Sequence, residues 1–281
     1  MTTASELLPL SYRHPQFPLQ LASSLQQFGF AVIVDHPLNL ERVWRIYRQW
    51  QVFFNEGGPQ EYASDSLGQD GYFAVDLAEH AKGYTQRDYK EYFQFYPWGR
   101  CPDTHRGDLL AYFDEAVALG ATFLSHLAAQ LPEPISARLS ESLQSMIRGS
   151  TQSMLRITHY PPLRAGSAGL RAAPHEDINL LTLLPAADGP GLELKLRSGE
   201  WVAVPQKQEQ LIVNVGDMLQ EATAGYLPSA THRVVASVEN PGRQSRMSMP
   251  LFLHPRPEVM LSQRYTAERY LSQRLVELGV A

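Results

Sequence analysis

From about Ser153 onward, the chain consists of short β-prone runs, and a turn signal follows each of them. The runs are MLRITHY, INLLTLL, LELKL, LIVNVG, HRVVASV and RMSMPLFL. Many short strands at such regular spacing predict an all-β sandwich or barrel. A jelly roll (double-stranded β-helix) is one closed arrangement of that kind, and we expect it over residues 151–256. The Gly- and Pro-rich piece from Pro161 to Pro174 reads as a loop.

The first half of the chain is mixed and mostly helical. Apolar residues recur at helical spacing in LERVWRIYRQWQVFFN, from Leu110 to Leu127, and from Ile135 to Ile147. The run FAVIVDH follows Gly29 and predicts one short strand. We therefore expect an α+β, mainly β fold in a single domain of 281 residues. A mostly helical half (1–150) precedes the core, and a C-terminal helix (257–281) follows it.

Composition argues against several classes of protein. The net charge of −5 speaks against a nucleic-acid binder, which usually carries a basic excess. Cys101 is the single cysteine, so an internal disulfide is impossible and a reducing, cytoplasmic setting fits. The first residues do not resemble a signal peptide, and no run reaches the roughly 20 apolar residues of a membrane span. We expect a cytoplasmic protein without nucleic-acid or membrane partners, and its oligomeric state stays open.

Two residues at the start of the run INLLTLL suggest a metal site. His175 and Asp177 lie two apart, and side chains at i and i+2 of a strand share a face. His232, at the start of HRVVASV, could supply a third ligand. Two imidazoles and one carboxylate leave open coordination positions and suit non-heme iron(II). The alternatives are a solvated loop pair and a structural, hydrogen-bonded histidine.

A second pair, Arg246 and Ser248, lies in the run RMSMPLFL and would also share a face. Met247 and Met249 would then point to the other side. A guanidinium beside a hydroxyl can receive a carboxylate, because the planar fork donates two parallel hydrogen bonds. The alternative is a structural salt bridge of Arg246.

These groups occur within a longer series of motifs. They are HYPP at 159–162, PHEDINLLTLL, GLELKLRSGEWVAVP, LIVNVGDMLQEATAGYLPSATHRVV and RMSMPLFLHP, with FGFAVIVDHP and GYTQRDYKEYFQF in the first half. In number and order they resemble the motifs of the isopenicillin N synthase-like family of iron(II)/2-oxoglutarate oxygenases. The likeness covers about 30–255 and is densest over 154–256.

The resemblance implies roles for particular residues. His175, Asp177 and His232 match the iron ligands, and Arg246 and Ser248 match the pair that binds the far carboxylate of 2-oxoglutarate. Tyr160 matches a contact of that carboxylate, and the candidate substrate contacts Phe252 and His254 lie near where relatives contact their main substrate. Arg156 is a further candidate substrate contact, with an exposed strand arginine as the alternative. Arg87 and Lys90 are candidate carboxylate partners, with surface charges as the alternative. Thr158 and His159 depart from the asparagine and tyrosine of many plant members. The segment from Gly57 to Trp98 is a candidate lid or pocket wall.

The resemblance also implies an activity. Iron(II), 2-oxoglutarate and dioxygen would together oxidise, as a rule by hydroxylation, an unactivated C–H bond of a small molecule, with release of succinate and carbon dioxide. One alternative is an iron(II) oxidase of the same family that does not consume 2-oxoglutarate. Others are a jelly-roll binding protein without catalysis and a cupin-like hydrolase or isomerase that uses another divalent ion.

Overall fold

The computed structural model describes residues 7–57, 60–64, 69–77, 88–163, 170–236 and 244–278. Its α-helices are α1 (Phe17–Phe28), α2 (Leu40–Asn55), α3 (Asp103–Gln130), α4 (Glu133–Ser136), α5 (Leu143–Met146), α6 (Asp217–Ala222) and α7 (Ala267–Leu278). Its strands are β1 (Pro9–Ser11), β2 (Phe30–Val34), β3 (Gly71–Phe73), β4 (Glu91–Phe95), β5 (Met154–Tyr160), β6 (Leu170–His175), β7 (Leu181–Pro185), β8 (Leu192–Lys195), β9 (Trp201–Ala203), β10 (Leu211–Val215), β11 (His232–Val235), β12 (Arg246–Ser248) and β13 (Leu251–Leu253).

The strands form two sheets of unequal size. The large sheet has the order β1-β2-β10-β7-β13-β5-β4-β3, and β12 also pairs with β5. The small sheet has the order β6-β11-β8-β9. Strands outnumber helices in the described ranges, so the mainly β prediction is confirmed.

The first half contributes more to the large sheet than the sequence indicated. The predicted strand after Gly29 is present as β2, which pairs antiparallel with β10. Strands β1, β3 and β4 were not predicted, and β4 pairs along its whole length with β5. The large sheet therefore extends across both halves of the chain.

The helices cover one side of the large sheet and bury an aromatic core. The predicted helices of LERVWRIYRQWQVFFN and of Leu110 to Leu127 are present as α2 and α3. Asn39 caps α2 by accepting a hydrogen bond from the backbone N–H of Arg42 at 3.0 Å, which satisfies one otherwise unpaired donor. Trp50 on α2 packs against Phe93 on β4, with ring centroids 4.7 Å apart. Among the described residues, no helix combines the length and hydrophobicity that a membrane span needs.

Two local predictions were wrong. The segment from Ile135 to Ile147 is not one helix but the short helices α4 and α5, because the backbone is extended at Ser142 (φ −64°, ψ 143°). The region from Pro161 to Pro174 is not all loop, since β6 begins at Leu170. Its sequence, LRAAPH, lacks β-branched residues and contains a proline, which a strand tolerates at the edge of a sheet. Strand β6 lies at such an edge, with β11 as its one neighbour.

The run RMSMPLFL forms two strands instead of one. It is interrupted at Pro250, which has no N–H to donate to a ladder. The carbonyl of Pro250 still accepts a hydrogen bond from the backbone N–H of Arg156 at 2.9 Å. Both β12 and β13 therefore stay beside β5.

Candidate metal centre

The two histidines meet through the small sheet. His175 ends β6, His232 begins β11, and the two residues are register partners. Asp177 lies after β6, in the turn that leads to β7. The expectation that His175 and Asp177 share one face of a single strand was therefore wrong. Strand pairing and a turn, not alternation within a strand, bring them together.

The three side chains converge on one point. Their ligand atoms all lie within 4.8 Å of one another. The Nε2 atoms of His175 and His232 lie 4.0 Å and 3.8 Å from Oδ1 of Asp177. The arrangement leaves one side of the cluster to the cavity described below.

Backbone carbonyls set the tautomer of both imidazoles. Nδ1 of His175 lies 2.7 Å from the carbonyl of Ala173, and Nδ1 of His232 lies 3.0 Å from the carbonyl of Ala230. A carbonyl oxygen can only accept, so each Nδ1 carries the proton. Each Nε2 therefore presents a lone pair to the cluster, as a metal ligand must.

Two neighbours orient the carboxylate. Oδ2 of Asp177 accepts hydrogen bonds from the hydroxyl of Thr182 (2.6 Å) and from the amide of Asn214 (2.7 Å). Thr182 in turn accepts from the amide of Asn179 at 2.8 Å. With Oδ2 held in this way, Oδ1 is left to face the two imidazoles.

The protonation states also suit a metal. Burial, followed by the charge of His232, lowers the pKa of His175 to about 4, so its ring is neutral at neutral pH. Burial alone would raise the pKa of Asp177, but the two histidines and the hydrogen bonds to Oδ2 hold it below its usual value. Neutral imidazole and ionised carboxylate are the forms that bind a metal.

The cluster opens into a cavity that is partly open to solvent. Arg246, Ser248 and Tyr160 line the same cavity. Arg246 and Ser248 face it from β12, and Met247 between them is fully buried in the core on the other side, as the sequence predicted.

One guanidinium nitrogen of Arg246 points to a missing ligand. Nε of Arg246 donates to the carbonyl of Gly189 at 3.0 Å, and Nη2 donates to the side chain of Gln206 at 3.3 Å. Nη1 is buried and has no hydrogen-bond partner among the described residues. A buried charged donor without an acceptor is costly, and a carboxylate is the group that would satisfy it. The residues present therefore fit both a divalent metal and a carboxylic acid beside it.

Some of the candidate substrate contacts line the cavity and others do not. Phe252 and Arg156 line the cavity, and so does Lys90, which forms an ion pair with Asp88 at 2.8 Å. His254 is not among the described residues that line it. Burial lowers the pKa of His254 to about 4. The remaining candidate, at position 87, lies outside the described residues, as does much of the candidate lid.

Sequence reasoning assigned no role to Thr182 and Asn214. Both were present in the motifs, as the threonine of HEDINLLTLL and the asparagine of LIVNVG. Their hydrogen bonds to the carboxylate of Asp177 require β7 and β10 to be neighbours, which they are. A polar residue in the middle of an otherwise apolar strand was the available signal.

The fold and the site define a jelly-roll protein with a candidate non-heme metal centre, and comparisons with known proteins identify its family. The family model of the 2OG-Fe(II) oxygenase superfamily matches residues 151–255. A solved structure from Shewanella oneidensis, described as a presumed oxygenase, is 43% identical, covers 98% of this chain and 100% of its own, and has a TM-score of 0.89. The chain belongs to the 2OG-Fe(II) oxygenase superfamily.

More distant relatives share the fold or part of the sequence. Feruloyl CoA ortho-hydroxylase 2 of Arabidopsis thaliana is 27% identical over 253 residues, which are 86% of this chain. The chain spans 66% of that enzyme's length. A full-length Neurospora crassa protein, solved in complex with alpha-KG and thymine, is 19% identical, covers 98% of both chains and has a TM-score of 0.75. At that identity the likeness shows the fold.

Proposed function

We propose that this protein is an iron(II)- and 2-oxoglutarate-dependent dioxygenase that hydroxylates an unactivated C–H bond of a small molecule and releases succinate and carbon dioxide. Within the superfamily, we assign it to the isopenicillin N synthase-like branch because its motifs follow that order. We also propose a cytoplasmic location, which the single cysteine favours.

The site residues divide the work between metal and co-substrate. His175, Asp177 and His232 would hold iron(II) on one face, which leaves the opposite face to co-substrate and substrate. Arg246 and Ser248 would bind the far carboxylate of 2-oxoglutarate and fix its orientation. When bound, the iron and 2-oxoglutarate would allow dioxygen to be activated for oxidation of a C–H bond, which no side chain can do.

The remaining wall of the cavity keeps the reacting groups apart from water. Phe30, Leu184, Leu192 and Val234 line it with apolar surface. Apolar walls that exclude water strengthen the charged contacts and protect a reactive centre from side reactions. The chain's own contribution to catalysis is therefore to position the reactants and to exclude solvent.

The buried Nη1 of Arg246 has no hydrogen-bond partner in the described ranges and belongs to a side chain that lines the same cavity as the metal cluster, and this observation carries the proposal. A hydrolase or an isomerase with the same three metal ligands has no need of a carboxylate receptor there. Relatives support a small-molecule substrate, since feruloyl CoA ortho-hydroxylase 2 is named for a hydroxylation and the Neurospora crassa protein was solved with thymine.

The test begins with anaerobic protein loaded with iron(II). Addition of 2-oxoglutarate should produce the weak visible charge-transfer band of a chelated metal, and admission of air should release succinate. Asp177→Ala and His175→Ala should lose both signals, because each removes a ligand. Wild-type succinate release by either variant with iron present would contradict the assignment.

The same experiment separates the alternatives. An iron(II) oxidase of the family that does not use 2-oxoglutarate would bind iron but show no band with 2-oxoglutarate. A binding protein without catalysis would retain no iron under anaerobic conditions. We expect neither outcome.

A further inference from the structure

The loop that follows β7 contacts the strand that carries Arg246 and Ser248. Asp188 lies in this loop, and Oδ1 of its side chain accepts a hydrogen bond from the backbone N–H of Met247 at 2.6 Å. The backbone N–H of Asp188 in turn donates to the carbonyl of Met247 at 3.3 Å. Met247 stands between the two residues of the proposed co-substrate site. One aspartate therefore binds both backbone polar groups of the residue between them.

This contact replaces a strand pairing that has ended. β7 pairs with β13 as far as Leu183, which lies opposite Leu251. The next residue along the chain toward β12 is Pro250, which has no N–H to donate. β12 pairs with β5 on its one side. The backbone groups of Met247 are directed to the other side, where they would form an open strand edge without Asp188.

The residue after Asp188 holds the guanidinium itself. The carbonyl of Gly189 accepts a hydrogen bond from Nε of Arg246 at 3.0 Å. Two adjacent residues therefore restrain both the backbone of β12 and the side chain of Arg246. The same restraint orients Nη1 of Arg246, the buried donor without a partner among the described residues.

Asp188 brings a negative charge as well as an acceptor. The residue as a whole is exposed, but its carboxyl group is turned toward β12, and this burial raises its pKa. The hydrogen bond from Met247 and the charge of Arg246 oppose that rise. Removal of the negative charge alone should favour an anion at Arg246. Removal of the acceptor should disfavour the anion, because β12 loses its restraint, so substitution can separate the two effects.

We propose that Asp188 is a positioning residue for 2-oxoglutarate, because its hydrogen bond to Met247 holds β12 where Arg246 meets the far carboxylate. The inference rests on the proposed function, since it concerns the co-substrate of the same site. It requires Asp188 to affect binding of the far carboxylate and not binding of the metal.

The test compares two 2-oxo acids on anaerobic, iron-loaded protein, with the Kd measured from the charge-transfer band. 2-Oxoglutarate has the far carboxylate, whereas 2-oxobutanoate lacks it and has the same metal-chelating end. In Asp188→Ala, the Kd for 2-oxoglutarate should rise by about 10-fold, the lower end of what one charge-assisted hydrogen bond contributes. The Kd for 2-oxobutanoate should not change, and neither should the iron affinity in a chelator competition.

Three further variants isolate the hydrogen bond. Asp188→Asn keeps an oxygen acceptor and removes the charge, so its Kd for 2-oxoglutarate should equal the wild-type value or lie below it. Asp188→Ala should add little to the loss in Arg246→Gln, because both residues act on one contact. Asp114→Ala, the same substitution at an exposed position of α3, should behave as wild type.

The outcomes distinguish this inference from the proposed function. If wild type shows no charge-transfer band with 2-oxoglutarate, the function itself fails. With an intact band, a wild-type Kd for 2-oxoglutarate in Asp188→Ala overturns the inference, and so does an Asp188→Asn variant as weak as the alanine variant. Equal losses for both acids, or weaker iron binding, would show general damage to the site and would also overturn it.

Discussion

Replacement of Arg246 by glutamine should reduce the extent to which bound 2-oxoglutarate stabilises the protein against unfolding. In the iron-loaded wild type, 2-oxoglutarate at 100 times its Kd should stabilise the fold by about 2.7 kcal/mol. For a chain of this size, that corresponds to a Tm increase of roughly 5–11 °C. We expect this stabilisation because the far carboxylate of 2-oxoglutarate would accept a hydrogen bond from the buried Nη1 of Arg246.

The magnitude of the loss follows from the contacts of Arg246. Its Nη1 is the donor without a partner among the described residues, and a hydrogen bond from a charged group contributes about 1.5–3 kcal/mol. Removing it weakens the affinity for 2-oxoglutarate by about 10- to 150-fold. At the same concentration, stabilisation then falls to between about 1.4 and 0.3 kcal/mol. The Tm shift should therefore be about half of the wild-type shift or less.

The assay is thermal unfolding of anaerobic, iron-loaded protein with and without 2-oxoglutarate. The variant also leaves the carbonyl of Gly189 without its donor, so the shift and not the absolute Tm is the relevant quantity. Arg148→Gln is the matched control, because Arg148 is exposed. A full wild-type shift in Arg246→Gln would refute the assignment of this guanidinium to the co-substrate.

Three further predictions concern the metal, pH and packing. Asn214→Leu removes one hydrogen bond to the metal-binding carboxylate and should weaken iron binding about 10- to 100-fold in a chelator competition; unchanged affinity would contradict that role. His254 has a pKa of about 4 when folded and 6.5 as its ordinary value. The unfolded chain therefore binds more protons between these values, and the free energy of unfolding in urea should fall as pH is lowered from about 6.5 to 4. His254→Gln should reduce that slope, and an unchanged slope would exclude His254 as its source. In Gly216→Ala, the added Cβ would clash with Oδ1 and the backbone carbonyl of Asn179, so urea unfolding should show a loss of about 1–3 kcal/mol. Gly107→Ala in α3 meets no atom within 4 Å and should instead stabilise by about 0.5–1 kcal/mol; equal effects of the two substitutions would contradict the packing argument.

Local patterns predicted those elements in which the hydrophobic repeat runs through the whole segment. MLRITHY matches β5 from Met154 to Tyr160, and α2 coincides with LERVWRIYRQWQVFFN. The same reasoning was wrong where a local signal was weak. Strand β6 contains alanines and a proline, and it exists because β11 pairs with it.

The hydrophobic periodicity also gave a wrong prediction where two short helices fall within one four-residue repeat. The spacing from Ile135 to Ile147 suits a helix, yet the chain turns at Ser142. Both resulting helices follow α3, and Leu143 and Ile147 are buried in the core while Leu139 packs against it. A spacing of four residues can thus reflect burial by a neighbouring element without a continuous helix.

The sequence by itself determined which chemistry this chain can perform. The residue types at His175, Asp177, His232, Arg246 and Ser248, with the motifs around them, sufficed to predict the cofactors and the family. The two-residue spacing was informative for Arg246 and Ser248, because β12 presents alternate residues to one side.

Only the tertiary structure decided how those groups are arranged and what else joins them. His232 meets His175 through the register of two strands that are distant in the chain, and no local pattern encodes that register. The surroundings of the Arg246 guanidinium, the hydrogen bonds of Thr182 and Asn214 to Asp177 and the position of Arg156 at the cavity likewise depend on which strands become neighbours. Strand pairing is set by burial of the whole core, so it emerges from the folded chain and not from any segment of it.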